Sequence, residues 1–348
     1  MANAAASNLV IFAPGLLGPY TGQEDWQASD WPELSLLQKL LTRADRVKKV
    51  SSSQNDYEML FSYFNIAATE NDFPLAALSL LAEGHVPGND CWMRLDPVCL
   101  HADRTEAILI AHEELLLVDD EADALQESIR PLLEEWSVQL IKTNSHHWYA
   151  RLPENISLST TPIIEAKGLG ISRLMPLGKD QIKWHGLMNE VQMLWHTHPV
   201  NLERQESGDL QASSVWMWGC GNLAELSEPT FTMVYCDDLV TTGLAKHNNM
   251  SFSGLDDIFN NNLKGNNFVC NLSWRELQRK NDPQNWFQAL DKWQAEFLQP
   301  LFKSVLKNKK QKVLFDFGGD IVYQFEARHL RRWWRRTRSL QSLANHQE

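Results

Sequence analysis

The fold class is indicated by residues 9–19, which read Leu9-Val10-Ile11-Phe12-Ala13 and then Pro14-Gly15-Leu16-Leu17-Gly18-Pro19. The first part is a continuous apolar run, which is typical of a parallel strand buried on both faces. Two glycines and two prolines then predict a turn directly after the strand. In an open parallel sheet the carboxyl end of the first strand is the usual place for a ligand site. The stretch therefore predicts both an architecture and the sheet edge at which a site would lie.

Strand-like and helix-like segments alternate along most of the chain. Apolar residues at helical spacing predict a helix over 179–197. Near the end, 312–317 and 321–325 read as strands joined by Gly318-Gly319, a pair that favours a tight hairpin turn. This alternation predicts an α/β protein, a three-layer sandwich with a mostly parallel sheet and helices on both faces.

The pattern predicts a single α/β domain over 1–348. A smaller subdomain inserted within about 90–178 is left open, because the turn-rich stretch 155–178 is the best boundary candidate. The last predicted element is a basic helix over 328–343.

Composition narrows the class of protein. Hydrophobic residues make up 43% and charged residues 22% of the 348 residues, so the chain can bury a sizeable core. The net charge of −12 makes general affinity for nucleic acid unexpected. No apolar run approaches the roughly 20 residues that a membrane helix needs, and the first residues lack the basic start of a signal peptide. The five cysteines are scattered, which favours reduced thiols in the cytoplasm and disfavours a cysteine-based zinc site.

The C-terminal end is strongly basic although the whole chain is acidic. Residues 303–338 contain eleven Lys and Arg against three Asp and Glu, and such asymmetry usually means that the basic end meets something acidic. Four arginines are the candidate partner-binding residues: Arg331, Arg332, Arg335 and Arg336. We expect a docked helix, with Trp333 and Trp334 in the core and the arginines paired with acidic residues such as those at 119–121. The alternative is an exposed patch that binds nucleic acid, lipid headgroups or an acidic protein.

The densest motif lies between residues 196 and 221. It contains Asn201 and Arg204, followed by Val215-Trp216-Met217-Trp218-Gly219-Cys220-Gly221. Over about 187–248 the chain resembles the archaeal-type cofactor-independent phosphoglycerate mutases, which implies an alkaline phosphatase-like fold. Together with residues 14–19 and the final Arg-Trp-Trp-Arg-Arg, the motif also resembles uncharacterised proteobacterial proteins labelled phosphoglycerate mutase-like or RpfE-type regulatory. That second resemblance spans most of the chain.

The resemblance implies two divalent metal ions and a serine that is phosphorylated during transfer, but the sequence departs from the family at these points. The family's first metal ligand is an Asp at the end of the first strand, where this chain has Ala13-Pro14. The late histidine motifs have no counterpart, since the last 100 residues contain only His329 and His346. Ser51, Ser52 and Ser53 lack the family's surrounding residues, so catalytic residues stay unassigned. We therefore expect a protein that is degenerate at the metal site, regulatory or anion-binding, and without a resident cofactor.

Asn201 and Arg204 are the candidate anion-binding residues, for a small phosphorylated or carboxylate ligand. A planar guanidinium beside an amide and a Trp-rich strand can hold such an anion through two parallel hydrogen bonds. The alternative is that Arg204 pairs with Glu203 or Glu206 on a solvated helix face.

The rival interpretation is an active metal-dependent phosphomutase or phosphatase that binds Mn or Zn through other residues. Its ligands would come from a pool of carboxylates and imidazoles: Asp96, His101, Asp103, His196, His198 and Asp237. A two-metal site needs several such groups converging on ions about 4 Å apart. Structural roles are the expected alternative, such as a turn over 96–103 and a helix start at Asp237-Asp238. A third class of function is an interaction module that acts through the basic C-terminal helix.

Overall fold

The computed structural model describes most of the chain, which divides into two compact units. The described residues are 8–18, 31, 33–49, 55–66, 72–104, 106–153, 156–223, 228–260, 263–279, 283–308 and 311–344. Unit 1 combines residues 1–66 with 227–348, and unit 2 consists of residues 67–226. Unit 2 is thus an insertion in the sequence of unit 1, and the range 90–178 considered for an inserted subdomain falls within it.

Strands and helices are numbered in chain order. The strands are β1 (Asn8–Phe12), β2 (Asp45–Lys48), β3 (Cys91–Ala102), β4 (Ala107–Ile110), β5 (Gln139–Lys142), β6 (Trp148–Leu152), β7 (Leu158–Ser159), β8 (Leu177–Gly178), β9 (Ser214–Gly221), β10 (Met233–Tyr235), β11 (Ser251–Ser253), β12 (Asn267–Cys270), β13 (Lys312–Asp316) and β14 (Ile321–Glu326). The helices are α1 (Ser35–Arg43), α2 (Asp56–Tyr63), α3 (Leu75–Ala82), α4 (His112–Leu115), α5 (Asp119–Glu135), α6 (Ile163–Ala166), α7 (Gln181–His196), α8 (Pro199–Ser207), α9 (Leu239–His247), α10 (Ser273–Arg279), α11 (Pro283–Trp293), α12 (Gln299–Lys307) and α13 (Leu340–Ala344). Among the described residues, no helix combines the length and the apolar character needed to cross a membrane.

Unit 1 is built on a seven-stranded sheet whose order is β11-β10-β12-β1-β13-β14-β2. The first five strands run parallel, and β14 and β2 add antiparallel pairings at one edge. β1 lies inside the sheet because it pairs with β12 on one side and with β13 on the other. All four residues of Leu9-Val10-Ile11-Phe12 are buried, as a strand covered on both faces requires. The α/β fold class with a mostly parallel sheet is therefore confirmed.

Helices cover both faces of this sheet. Leu9 and Ile11 belong to one buried cluster with leucines of α1 and with Trp286 of α11. On the other face, the ring of Phe12 contacts Tyr63 of α2, with centroids 5.8 Å apart. Because successive strand residues point to opposite faces, alternate residues of β1 serve the two helical layers.

The ends of the central strands meet at one edge of the sheet. Phe12, the last residue of β1, is in register with Cys270 of β12 and with Asp316 of β13. The predicted hairpin is confirmed, since β13 pairs antiparallel with β14 and the two glycines lie between them. Parallel strands thus place the residues that follow β1, β12 and β13 side by side.

Unit 2 contains a five-stranded antiparallel sheet organised by the 12-residue strand β3. β3 pairs with β6 at its start, with β9 over much of its length and with β4 at its end. Gly219 of β9 has a φ of +69°, and a Cβ there would lie 2.8 Å from the Cβ of Leu75 in α3. The Gly-x-Gly of residues 219–221 therefore serves close packing of a helix on a strand.

The C-terminal segment does not form the predicted basic helix over 328–343. The structure has a 3₁₀ helix at Ala327–Arg331, then an irregular stretch, and then the five-residue helix α13. Arginines four residues apart repel one another on a helix. Instead, Arg332 donates to the carbonyl of Arg43, and Arg335 to that of Ala44, at the end of α1. The prediction of a continuous helix was wrong because the arginines satisfy the free carbonyls of another helix.

Candidate functional site

The carboxyl edge of the parallel sheet holds a fully buried carboxylate, Asp316, at the end of β13. It accepts hydrogen bonds from Lys49 Nζ at 2.8 Å and from the Tyr63 hydroxyl at 2.6 Å. The backbone N–H of Gly318 donates to the same carboxylate at 2.9 Å. Burial and the adjacent Asp316 charge raise the pKa of Tyr63, so its hydroxyl stays a neutral donor. Side chains from β13, α2 and the end of β2 therefore meet in one charge-balanced cluster.

A second ion pair lies beside this cluster. Arg275 of α10 donates to Asp56 of α2 through Nε at 2.7 Å and through Nη2 at 2.5 Å. Its Nη1 donates to Gln278 at 2.6 Å. Gly318, with a φ of +88°, connects the two pairs, because a Cβ at this position would lie 2.8 Å from Arg275 Nη2. Glycine thus lets the guanidinium approach the turn after β13.

The two carboxylates at this edge are engaged with cations of the protein. Asp316 pairs with Lys49 and Asp56 pairs with Arg275, whereas a two-metal site uses carboxylates and imidazoles that face the metal ions. β1 leads into Ala13-Pro14, and neither side chain can ligate a metal. Within the part of the chain that the structure describes, no three His, Cys, Asp or Glu side chains are placed to hold one ion. Positive charge at this edge is supplied by lysine and arginine.

Asp237 and Asp238 follow β10 at the same end of the sheet. Asp238 accepts a hydrogen bond from the backbone N–H of Thr241 at 2.8 Å and so caps α9. Asp237 accepts one from the N–H of Leu255 at 3.0 Å. The predicted helix start is confirmed, and both carboxylates have structural roles.

Asn201 lies inside unit 2, where its side chain is fully used. It is 1% exposed, donates to the carbonyls of Trp195 and Ala212 at 2.7 Å, and accepts from the N–H of Ala212 at 3.0 Å. The amide therefore ties the start of α8 to the segment before β9, and it presents no donor to a ligand.

Arg204 is also buried, and its guanidinium is bound on several sides. Nε donates to the carbonyl of Leu210 at 2.7 Å, Nη1 donates to Glu121 at 2.7 Å, and Nη2 donates to the carbonyl of Leu115. The structure thus corrects both expectations for this residue. Arg204 is neither an open anion site nor a partner of Glu203 or Glu206, because its donors join α8 to α5 and to the end of α4.

Replacing Arg204 by methionine is expected to destabilise unit 2 by about 2–3 kcal/mol. The change removes a charge-assisted hydrogen bond and leaves two buried carbonyls without their donor. Chemical denaturation of the full chain measures the effect, and Arg173→Met at an exposed position of the same unit is the control. Loss of phosphate-ester affinity without any loss of stability would restore the anion-pocket interpretation.

The other members of the predicted metal pool are not brought together. Asp96 is buried and paired with Arg94 at 2.7 Å. His101 and Asp103 are exposed at the end of β3, and His196 is exposed at the end of α7. His198 caps α8 by accepting from the N–H of Val200 at 3.3 Å. The expected turn over 96–103 is wrong, because β3 continues to Ala102 and Asp96 lies within this strand. Asp96 and His198 nevertheless have structural roles, one in a buried ion pair and one as a helix cap.

Unit 2 also contains a polar cluster that sequence analysis missed. Glu83 accepts from His147 Nδ1 at 2.6 Å and from the Tyr149 hydroxyl at 2.8 Å. His112 and His146 stack with ring centroids 5.0 Å apart, and the Nδ1 atom of each is buried without a hydrogen-bond partner among the described residues. Burial lowers the pKa of both imidazoles. Burial alone would raise the pKa of Glu83, but hydrogen bonds, led by that of His147, lower it to about 2.

Stability of unit 2 is expected to fall as the pH drops below about 6.5. The pKa values of His112 and His146 are lower in the folded state than their ordinary value of 6.5. Below that value the unfolded chain binds more protons than the folded chain, so unfolding is favoured. Glu83 adds a second pH dependence of stability in a more acidic range. Its contribution to the stability of unit 2 is present above pH 4.5 and is lost as the pH falls toward about 2.

Melting temperatures between about pH 8 and about pH 5 test this prediction. Replacing His112 and His146 by glutamine removes the titrating groups and should flatten the dependence, whereas His196→Gln, at an exposed imidazole, should leave it unchanged. The other charged groups near the two imidazoles are Glu113, Asp96 and Arg94, together with His147. An identical slope in the double variant would contradict the assignment.

The C-terminal segment 327–344 is anchored to α1 and β2, but its tryptophans are not in the core. Trp333 is 80% exposed and Trp334 is 64% exposed, which corrects the expectation of two buried rings. Arg332 pairs with Asp45 at 2.5 Å rather than with the acidic residues at 119–121. The buried apolar contacts of this segment come instead from Leu340 and Leu343.

The residues of the carboxyl-edge cluster escaped sequence analysis. Lys49 and Asp316 are 267 positions apart, and Asp56 and Arg275 are 219 apart. The available signal was that Asp316 is an acidic residue near the end of the predicted strand 312–317. Ser51–Ser53 and His346 lie outside the described residues.

Comparison with known proteins relates part of this chain to the phosphoglycerate mutases. No protein family model matches the sequence. The 2,3-bisphosphoglycerate-independent phosphoglycerate mutase of Methanosarcina mazei is 30% identical over 104 residues, which are 29% of this chain and 26% of that protein. The same enzyme of Methanosarcina barkeri is 32% identical over 95 residues, covering 25% and 24%. The match therefore spans about a quarter of these curated relatives.

Among solved structures, the PH0037 protein from Pyrococcus horikoshii aligns with a TM-score of 0.56 at 11% identity, over 93% of this chain and 92% of that one. The cofactor-independent phosphoglycerate mutase from Thermoplasma acidophilum aligns with a TM-score of 0.39 at 14% identity, over 92% and 90%. The chain thus shares its fold with the Pyrococcus protein, and about a quarter of it is similar in sequence to cofactor-independent phosphoglycerate mutases.

Proposed function

We propose that this chain is a phosphoglycerate mutase-like protein of the alkaline phosphatase superfamily that acts by binding and regulation rather than by turnover. The observation that carries the proposal is the pairing of Asp316 with Lys49 and of Asp56 with Arg275 at the carboxyl edge of the sheet. Ala13-Pro14 supports it, because the family resemblance implies an Asp ligand there. A cytoplasmic location belongs to the same proposal and is supported by five free, buried cysteines.

Lysine and arginine neutralise carboxylates but do not supply what divalent ions supply in phosphoryl transfer. Metal ions can activate an oxygen nucleophile and stabilise the attacking and leaving oxygens together. Lys49 is instead held between Asp316 and the sulfur of Met59, at 2.8 Å and 3.2 Å. Because uncatalysed phosphate-ester chemistry is extremely slow, a site of this kind leaves a phosphate ester intact.

The protein is expected to show no interconversion of 2- and 3-phosphoglycerate above the rate without protein, with Mn²⁺ or Zn²⁺ supplied. Calorimetric titration with Mn²⁺ should likewise reveal no tight site at the carboxyl edge. The same titration is made on Lys49→Ala, which removes the ammonium that occupies the edge. Lys48→Ala is the matched control, because the Lys48 side chain is 78% exposed. Turnover at enzyme-like rates, or two tightly bound ions per wild-type chain, would overturn the proposal. Either result would favour the rival metal-dependent phosphomutase or phosphatase.

A second candidate function is partner binding through the C-terminal basic segment. Two adjacent exposed tryptophans beside arginines support it, because Trp and Arg are enriched where interfaces gain most of their energy. Salt-sensitive binding of a fluorescent polyglutamate peptide is the expected result. Loss of that binding in the Trp333→Ser, Trp334→Ser double variant would support this function, and unchanged binding would exclude the two rings.

A further inference from the structure

A basic groove lies between the end of α1 and the C-terminal segment of unit 1. Its volume is about 540 Å³, which is within the range of small-molecule sites. Thr42, Asp45 and Arg46 line one side, and Arg335, Arg336 and Arg338 line the other. The groove therefore presents four guanidinium groups and one carboxylate.

The single carboxylate is already engaged. Asp45 binds Arg332, which lies outside the groove lining, at 2.5 Å, and this hydrogen bond is the main cause of the lowered pKa of Asp45. Arg335 is fixed in place by donating to the carbonyl of Ala44 at 2.7 Å. Asp45 therefore has little capacity left to balance the arginines that line the groove.

Arg336 and Arg338 supply the uncompensated charge. Both are exposed, and no described carboxylate lies within ion-pairing distance of either. The backbone N–H of Arg338 donates to the Thr42 hydroxyl at 3.0 Å, which fixes the segment against α1. The guanidinium carbon of Arg46 lies 5.9 Å from the ring centroid of Tyr323, and this contact orients a third guanidinium. Several guanidinium groups that line one groove favour a multivalent counter-ion.

We propose that this groove binds an anion carrying two or more clustered phosphate groups. Guanidinium groups match phosphate oxygens through paired hydrogen bonds, and several of them in one small volume select multiple charges over a single one. The inference deepens the second candidate function, because it names the chemistry that the C-terminal segment recognises. Two kinds of ligand contain such phosphate groups: a soluble polyphosphate compound and an anionic phospholipid headgroup. For the phospholipid, the exposed Trp333 and Trp334 would supply contacts at the membrane interface.

Calorimetry with tripolyphosphate and with inorganic phosphate as probes tests the proposal on the full chain. One tripolyphosphate should bind per chain, at least about tenfold more tightly than inorganic phosphate, and more weakly at higher salt. The double variant Arg336→Gln, Arg338→Gln should lose at least about tenfold in affinity. Both side chains are exposed, so its melting temperature should not change. Arg173→Gln, an exposed arginine of unit 2, should bind like the wild type.

A vesicle arm separates the two sources. Co-sedimentation with vesicles of phosphatidylcholine and cardiolipin, lost in the arginine double variant and in the Trp333→Ser, Trp334→Ser variant, would identify a lipid headgroup. Tripolyphosphate binding that survives the tryptophan changes would identify a soluble ligand. Absence of both activities in the wild type, or equal binding by the arginine double variant, would overturn the inference. Polyglutamate binding that depends on the tryptophans but not on Arg336 and Arg338 would leave the second candidate function standing alone.

Discussion

Asp316→Asn is expected to lower the free energy of unfolding of unit 1 by about 3 kcal/mol. The substitution keeps the shape of the side chain but leaves the Lys49 ammonium, whose side chain is only 15% exposed, without its counter-charge. Removing one partner of a buried ion pair costs about 3–5 kcal/mol, and the residual exposure of Lys49 places this pair at the low end. The Tyr63 hydroxyl also exchanges a charge-assisted hydrogen bond for a neutral one.

The effect should appear in chemical denaturation and as faster amide exchange around β13 and α2. Asp320→Asn is the matched control, because its pair with Lys48 is 4.0 Å long and solvent-exposed and should contribute less than about 1 kcal/mol. Adding Lys49→Met to Asp316→Asn should recover part of the loss, since the uncompensated charge is then removed. If Asp316→Asn and Asp320→Asn have equal effects, the ion pair between Asp316 and Lys49 does not stabilise unit 1.

The elements that could be predicted from the sequence are those whose signal is local. β1 is an uninterrupted apolar run, the hairpin around Gly318 is marked by its glycine pair, and α7 closely matches the helical pattern over 179–197. In each case the hydrophobic pattern and the turn residues that bound the element lie close together in the sequence. The two-unit organisation lacks such a signal, because unit 1 is assembled from both ends of the chain.

The sequence predicted the location of the candidate site but not the residues that form it. The carboxyl edge was identified from β1, but its charged residues come in pairs that are more than 200 positions apart. Arg204 shows the opposite error. The sequence suggested that it binds an anion, but its guanidinium is buried and forms hydrogen bonds within the protein. In the sequence, an arginine that binds a ligand cannot be told from an arginine that binds a main-chain carbonyl. Only the fold distinguishes the two.

The C-terminal segment shows how charge and aromatic residues can mislead together. Trp333 and Trp334 suggested a buried apolar face, yet the buried contacts come from Leu340 and Leu343. Arg332 and Arg335 reach the end of α1, and this anchoring holds the neighbouring tryptophans in solvent. Exposed aromatic residues on an anchored segment are the feature that makes this surface a candidate for binding.

In unit 2, Asp96→Asn is expected to lower the free energy of unfolding by about 3–5 kcal/mol. Arg94 is 3% exposed, and its guanidinium lies 4.7 Å from the Tyr149 ring centroid and 5.1 Å from that of Trp218. Asp96 is its carboxylate partner, at 2.7 Å, and also accepts from the Trp218 indole N–H at 2.7 Å. An amide at this position presents an N–H₂ group to donors on one side, so one hydrogen bond becomes a clash as the charge is lost.

Asp90→Asn provides the matched control for Asp96→Asn, because Asp90 forms an exposed pair with Arg151 on the same sheet and should change stability by less than about 1 kcal/mol. Denaturation followed by near-ultraviolet circular dichroism reports the loss of fixed aromatic packing, to which Trp218 contributes among the 14 tryptophans of the chain. Arg94→Met combined with Asp96→Leu should be milder than Asp96→Asn alone, because two apolar side chains leave no buried charge. A double variant as unstable as the single one would show that the hydrogen bond between Asp96 and the Trp218 indole, rather than the ion pair, holds β3 and β9 together.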